Sequence, residues 1–320
     1  MSDPAVESQH KEPPPSSFAV ATAFLLIYLT WGTTYRATGY AMQDLAMPPA
    51  LFGGTRLIIA GAILLIYQFA RGQSLGMTMR DFWRLLPISI CLFPMGNLFI
   101  NLGQQKVPSG VAAILIATTP LWIGFLGMLW PHGERLSLRG WIGLVIGFVG
   151  IVMALGPQVK DGISFLEDYH FLLILASAAS WALGSLFSRH LSPELPHLTS
   201  AAYQMVLGGV LQVAIGSGFG EWPDFLARFD VHALGAFLYL LIVGSLTGFI
   251  AFNWLLGHIS AAKVGTYAYV NPVIAVVIGM LTGEAIDNWE VFAGFAIILI
   301  GVYLVRGDHV PSKEIELEPD

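Results

Sequence analysis

Apolar residues run along this chain in long blocks separated by short polar or Pro/Gly-containing breaks. Each block is roughly 17–25 residues long, the length a helix needs to cross the hydrocarbon core of a bilayer. The pattern predicts spans near 17–42, 48–70, 82–105, 108–130, 138–156, 169–190, 196–218, 232–257, 260–282 and 288–306. Breaks such as Met47-Pro48-Pro49, Val107-Pro108-Ser109-Gly110, Gly156-Pro157 and Ser192-Pro193 punctuate them. Helices are the expected spanning element, because backbone polar groups in lipid must bond within their own segment. Residues 1–16 read as a disordered tail with Pro13-Pro14-Pro15, and 307–320 as an acidic one with Glu314, Glu316 and Glu318. The first apolar block is too long for a cleaved signal peptide and reads as a retained span.

Composition sharpens this. Hydrophobic residues make up 55% of the 320 and charged ones 11%, so a soluble fold would leave apolar side chains facing water. Net charge is −6 with no basic run, which excludes a nucleic-acid footprint. The single cysteine, Cys91, excludes an intrachain disulfide and any C-x-x-C site. No metal or cofactor is expected.

Lysines and arginines set the orientation. With the N-terminus inside, Lys11, Arg71, Arg80, Arg84, Arg135, Arg139, Arg189, Lys263, Arg306 and Lys313 are cytoplasmic. Only Lys106, Lys160 and Arg228 fall outside. That bias predicts both termini in the cytoplasm of a multi-pass plasma-membrane protein. Trp130, Trp141, Trp222 and Trp289 fall near span ends, as interfacial anchors do.

The halves resemble each other at an offset of about 150 residues. Trp31 matches Trp181, Asn101 matches Asn253, Pro120 matches Pro272, and Gly133-Glu134 matches Gly283-Glu284. Gly127, Gly143 and Gly150 match Gly279, Gly294 and Gly301. Five spans per half force the second half to enter from the opposite face. The expected fold is therefore all-α and membrane-integral: ten transmembrane helices in two inverted five-helix repeats, 17–156 and 169–306. Inverted repeats commonly serve alternating access.

Several segments resemble the drug/metabolite transporter superfamily, EamA-type branch. They are Leu29-Thr30-Trp31-Gly32-Thr33-Thr34-Tyr35, Pro108 to Ala113, Ala117-Thr118-Thr119-Pro120-Leu121 and Gly133-Glu134-Arg135-Leu136. The second half adds Ser180 to Ser185, Thr266 to Val273, and Gly283-Glu284. The resemblance runs from about residue 19 to 306. It implies an exporter or exchanger of small metabolites such as amino acids, with a cavity lined by spans 1, 3, 4, 6, 8 and 9.

Candidate pathway residues are the polar and aromatic ones that a lipid-facing position would leave unsatisfied. Arg36 and Arg56 lie inside spans, where a guanidinium is costly. They either snorkel to the outer surface, pair with helix-end carbonyls, or contact an anion or carboxylate in the outer vestibule. Asn97, Asn101 and Gln104 (with Gln105) recur on one helical face of span 3, which is expected to point inward. That face either lines a cavity or bonds neighbouring helices, as does Asn253. Trp31 and Trp181 are too deep to be interfacial anchors and either wall a pathway or pack against glycine. Tyr35, Tyr203, Trp254, Tyr267 and Asn271 extend the set, and Pro120 and Pro272 each free a helix carbonyl. Lys263 marks the inner boundary or meets an anionic group. Glu134 and Glu284 are read as structural contacts at span ends. Gly143 and Gly147 form a G-x-x-x-G for close packing, within the chain or between protomers of a homo-oligomer.

None of the 21 Asp and Glu sits mid-span, whereas ion-driven carriers commonly hold a buried carboxylate there. Facilitated diffusion or exchange is expected, and no P-loop is present to couple ATP. The competing readings are a passive channel, a structural membrane subunit, or an intramembrane enzyme, the last disfavoured by the lack of buried acid–base pairs.

Overall fold

A computed structural model describes residues 15–129, 137–160, 169–191, 194–258, 264, 267–283 and 289–306. The described residues are helical and include no strand. The helices are α1 (Ser17–Asp44), α2 (Pro49–Ala70), α3 (Met79–Gly103), α4 (Ser109–Met128), α5 (Leu138–Lys160) and α6 (Tyr169–His190). They continue as α7 (His197–Gly218), the short α8 (Trp222–Arg228), α9 (Val231–Leu255), α10 (Tyr267–Leu281) and α11 (Trp289–Arg306). Where both can be compared, the ends fall within about one helical turn of the expected spans. Seven of these helices are long and apolar enough to cross a membrane: α1 to α4, α6, α7 and α9. Leu138–Gly150, Val270–Leu281 and Trp289–Leu304 form shorter apolar stretches. Ile63, Phe69, Val145, Val277 and Ile300 are apolar yet exposed, the outer surface expected of a bundle whose solvent is lipid.

Two pairings between the halves organise the bundle: α2 lies along α7, and α5 along α11. Both are glycine contacts. A Cβ on Gly54 would come within 2.8 Å of Gly209 O, and one on Gly209 within 2.8 Å of Gly54 O. A Cβ on Gly301 would meet Gly147 N at 2.5 Å and Gly143 O at 2.6 Å. The G-x-x-x-G of α5 therefore packs within the chain, against α11.

Polar caps fix where helices begin and turn. Pro49 opens α2, and the Glu221 carboxylate beyond α7 accepts from Leu51 N at 2.7 Å and Ala50 N at 3.3 Å. An anion on free N–H groups at a helix start is favourable. Glu221→Gln should cost about 1 kcal/mol of stability, read as a lower midpoint in thermal unfolding of the detergent-solubilised protein. An unchanged midpoint would show that water replaces the cap. At α3, Thr78 and Asp81 form a reciprocal capping box, and Asp81 Oδ1 also accepts from Glu194 N at 3.0 Å. Arg80 and Arg84 each approach Glu194 at 3.5 Å, which ties α3 to the turn before α7.

Among the described residues, four helices leave regular winding. α1 ends in a π-helical turn, Tyr40–Asp44. α3 widens at Phe93–Asn97, where Pro94 has no N–H to give, and α9 widens over Leu240–Gly248. Ser177 and Ser180 of α6 donate to Gly96 O at 2.7 Å and Cys91 O at 3.1 Å, re-satisfying carbonyls beside the α3 bulge. α4 breaks at Ala117-Thr118 just before Pro120. There Thr118 and Thr119 hydroxyls donate to Leu115 O and Ile116 O, each at 2.6 Å. Such departures are tolerated at membrane depth where protein groups satisfy the backbone or a cavity is lined.

Candidate functional site

The two irregular segments, Phe93–Asn97 and Leu240–Gly248, face a central cavity of about 150 Å³. It is bounded by α1, α2, α3, α4, α6, α7, α9 and α10. π-bulges recur at functional sites because they turn side chains and carbonyls off the helix axis. Here Phe93, Gly96 and Asn97 come from one, and Leu240, Gly244 and Ser245 from the other.

One wall is aromatic. Trp31 centres it, with ring centroids 5.0 Å from Tyr267, 5.1 Å from Phe252 and 6.0 Å from Trp181. The Tyr267 and Trp181 contacts are edge-on, the arrangement aromatic quadrupoles favour. Trp31 Nε1 donates to Gly244 O at 3.2 Å, using a carbonyl of the α9 bulge. A Cβ on Gly248 would strike the Trp31 indole, so that glycine makes the room.

The rest of the lining includes a polar group. Arg56, 6% exposed, projects from α2. Its Nη1 donates to Ser245 Oγ at 2.8 Å and Leu240 O at 3.3 Å, and its Nη2 to Asn97 Oδ1 at 3.4 Å. Its Nε is buried without a partner. Gln104, fully buried, donates from Nε2 to Tyr35 O at 2.9 Å, while its Oε1 has no donor. The backbone of Gln104 is held in turn by Gln43, whose Nε2 donates to Gln104 O at 2.8 Å and Val107 O at 3.0 Å. Among the described lining residues Arg56 carries the charge and none is Asp or Glu.

Of the sequence candidates, the cavity gathers Trp31, Tyr35, Arg56, Asn97, Gln104, Trp181 and Tyr267. The others lie elsewhere. Arg36 bonds Thr282 Oγ1 at 2.8 Å and Asp44 at 3.4 Å near the end of α1. Asn101 points inward but into the α2 contact, donating to Pro49 O at 3.2 Å, because Gly53 leaves space there. Tyr203 OH donates to Leu75 O at 2.6 Å. Asn253 bonds back to Phe249 O of its own helix at 2.8 Å, and Trp254 stacks on His258 at 4.3 Å. Asn271 is 2% exposed with both amide atoms unpartnered, one turn beyond Tyr267 and outside the cavity wall. Pro120 begins the second piece of α4, while Pro272 sits inside the continuous α10. Lys263, Glu134 and Glu284 lie outside the described residues.

Sequence reasoning missed Thr34, Thr38, Ser177, Ser245 and Met205. Thr34 and Thr38 lie at helical spacing from Trp31, a signal that periodicity alone carried. Ser177 sits in the small-residue run Ala176-Ser177-Ala178-Ala179, and Ser245 lies between Gly244 and Leu246 in an apolar block.

The description "EamA-like transporter family" matches residues 18–156 and again 169–307, covering both halves. The chain belongs to the EamA-like transporter family. It is a membrane transporter and a multi-pass protein of the plasma membrane. The inner membrane transporter YedA of Escherichia coli (strain K12) is 30% identical over 296 residues, 92% of this chain and 93% of YedA. The transporter YvbV of Bacillus subtilis (strain 168) is 26% identical over 301 residues, 92% of this chain and 93% of YvbV. A protein of Salmonella typhimurium named a probable amino-acid metabolite efflux pump is 23% identical, across 88% of this chain and 92% of its own. A solved crystal structure superposes with a TM-score of 0.61 at 22% identity, over 90% of this chain and 96% of that one, and shares the fold. The matched segments give the EamA-like chain its two repeats. The cavity lies where helices of both meet.

Proposed function

We propose that this EamA-like protein is a secondary transporter, an exporter or exchanger of small organic metabolites, working by rocking of two inverted repeats. The repeats are 17–156 and 169–306, five spans each, with both termini cytoplasmic. The observation that carries the reading is the cavity itself, walled by Trp31 and Tyr35 from one repeat and by Trp181 and Tyr267 from the other. A site shared by both repeats is one whose access changes when they tilt. Amino-acid metabolites, the class named for the Salmonella relative, are the first panel to test, with and without the ammonium group. Arg56, Asn97, Gln104 and the aromatic wall hold the cargo. Arg36, Asn101 and Tyr203 support the bundle from outside the cavity.

Reconstituted proteoliposomes test the proposal. Saturable flux of at least one solute from a metabolite panel is expected, absent from empty vesicles. No flux with folded protein defeats it, and flux that rises without saturation points to a passive channel. No carboxylate is described in the cavity wall to carry a proton, so an imposed pH gradient is expected to drive no accumulation beyond that of protein-free vesicles. Uphill accumulation abolished by a protonophore would overturn that expectation.

A further inference from the structure

We infer that the cavity selects an organic monoanion: a carboxylate held at Arg56, a flat apolar body held by the aromatic wall, and no ammonium group. The inference rests on the transporter reading above and narrows its cargo.

The argument starts from charge. The Arg56 guanidinium is 6% exposed and bonds only neutral acceptors, with Nε unpartnered. None of the described lining residues is acidic, so no carboxylate among them compensates the buried cation. Such a charge is costly and is stabilised when a carboxylate meets the fork. The planar guanidinium suits two-oxygen recognition.

The charge of the lining decides against a zwitterion. An ammonium brings three donors and a positive charge. In this wall, Asn97 Oδ1 and Ser245 Oγ already accept from Arg56, Gly244 O from Trp31, and Tyr35 O from Gln104. Gln104 Oε1 is the buried side-chain acceptor left without a donor among the described lining residues. An ammonium there would sit beside a guanidinium, with no Asp or Glu among the described lining residues to offset it. The body of the cargo meets edge-on and tilted rings at 5.0–6.0 Å from Trp31, a surface for an aryl or branched alkyl group.

The test uses three probes that differ at one end only: phenylpropanoate, phenylpropanamide and phenylalanine. Their saturable flux is compared in proteoliposomes, with binding followed by tryptophan fluorescence of the detergent-solubilised protein. Phenylpropanoate is expected to bind about tenfold or more tightly than either analogue, as a charge-assisted bond requires. Arg56→Gln is expected to level the three. Equal or better handling of the amide or of phenylalanine by the native protein overturns the inference while leaving a transporter in place. So does flux of other metabolites with none of these three. Native selectivity decides the matter even where the variant fails to fold. Absence of any solute flux removes the transporter reading instead.

Discussion

Replacing Gly209 by valine is expected to cost about 3 kcal/mol, the upper end of overpacking, because two of the three nearest atoms met are main chain that no rotamer change can move. A first Cβ already comes within 2.8 Å of Gly54 O and 2.9 Å of Ile58 N. Glycines at such contacts let two helix backbones approach. The comparison is Gly235→Val, where a Cβ meets nothing within 4 Å. Gly209→Val should show lower yield, loss of monodispersity and an early thermal transition in detergent, and Gly235→Val should show none of these. Equal melting of the two would mean that α2 and α7 do not touch as described. The same reasoning holds for Gly301, set against the backbone of Gly143 and Gly147.

Trp31→Ala is expected to lower transport about tenfold or more, the loss that follows when roughly 1.4 kcal/mol of cargo interaction goes. It deletes the ring shared by Trp181, Phe252 and Tyr267, together with the bond to Gly244 O. Trp31→Phe separates the two contributions, keeping an aromatic face but not the donor. The variants are compared by saturable flux per unit of correctly inserted protein. Normal flux in Trp31→Ala would move the pathway elsewhere. Tyr267→Ala should act in the same direction. Asn101→Ala belongs to the other class, lowering stability through the lost bond to Pro49 O while flux per folded molecule holds.

These contrasts show what the one-dimensional pattern carried. Hydropathy located the helices because the bilayer imposes one length on all of them. The matched pairs located the repeats, since Trp31 and Trp181 meet within the same aromatic wall. The arginines show the limit. Arg36 and Arg56 look alike in sequence, each a cation within an apolar block. Their fates depend on what another helix presents: Thr282 beside the first, Leu240 O and Ser245 beside the second. The amide face of α3 divides for a similar reason. Asn97 sits on the widened turn and faces the cavity, whereas Asn101 meets the gap over Gly53. The widened turns themselves were hidden, because the apolar runs that contain them are unbroken. Pro94, Gly96 and the glycines at 244 and 248 mark their positions.

The wide winding of Leu240–Gly248 makes the number of residues there matter more than their identity. Removing one residue with the wide winding kept would swivel everything that follows by one residue's turn, on the order of 100°, about the helix axis. Phe249 and Phe252 would leave the tryptophan cluster and Asn253 would be re-aimed, although no atom of those side chains had been edited. Point changes in this stretch are thus borne more easily than a single-codon deletion.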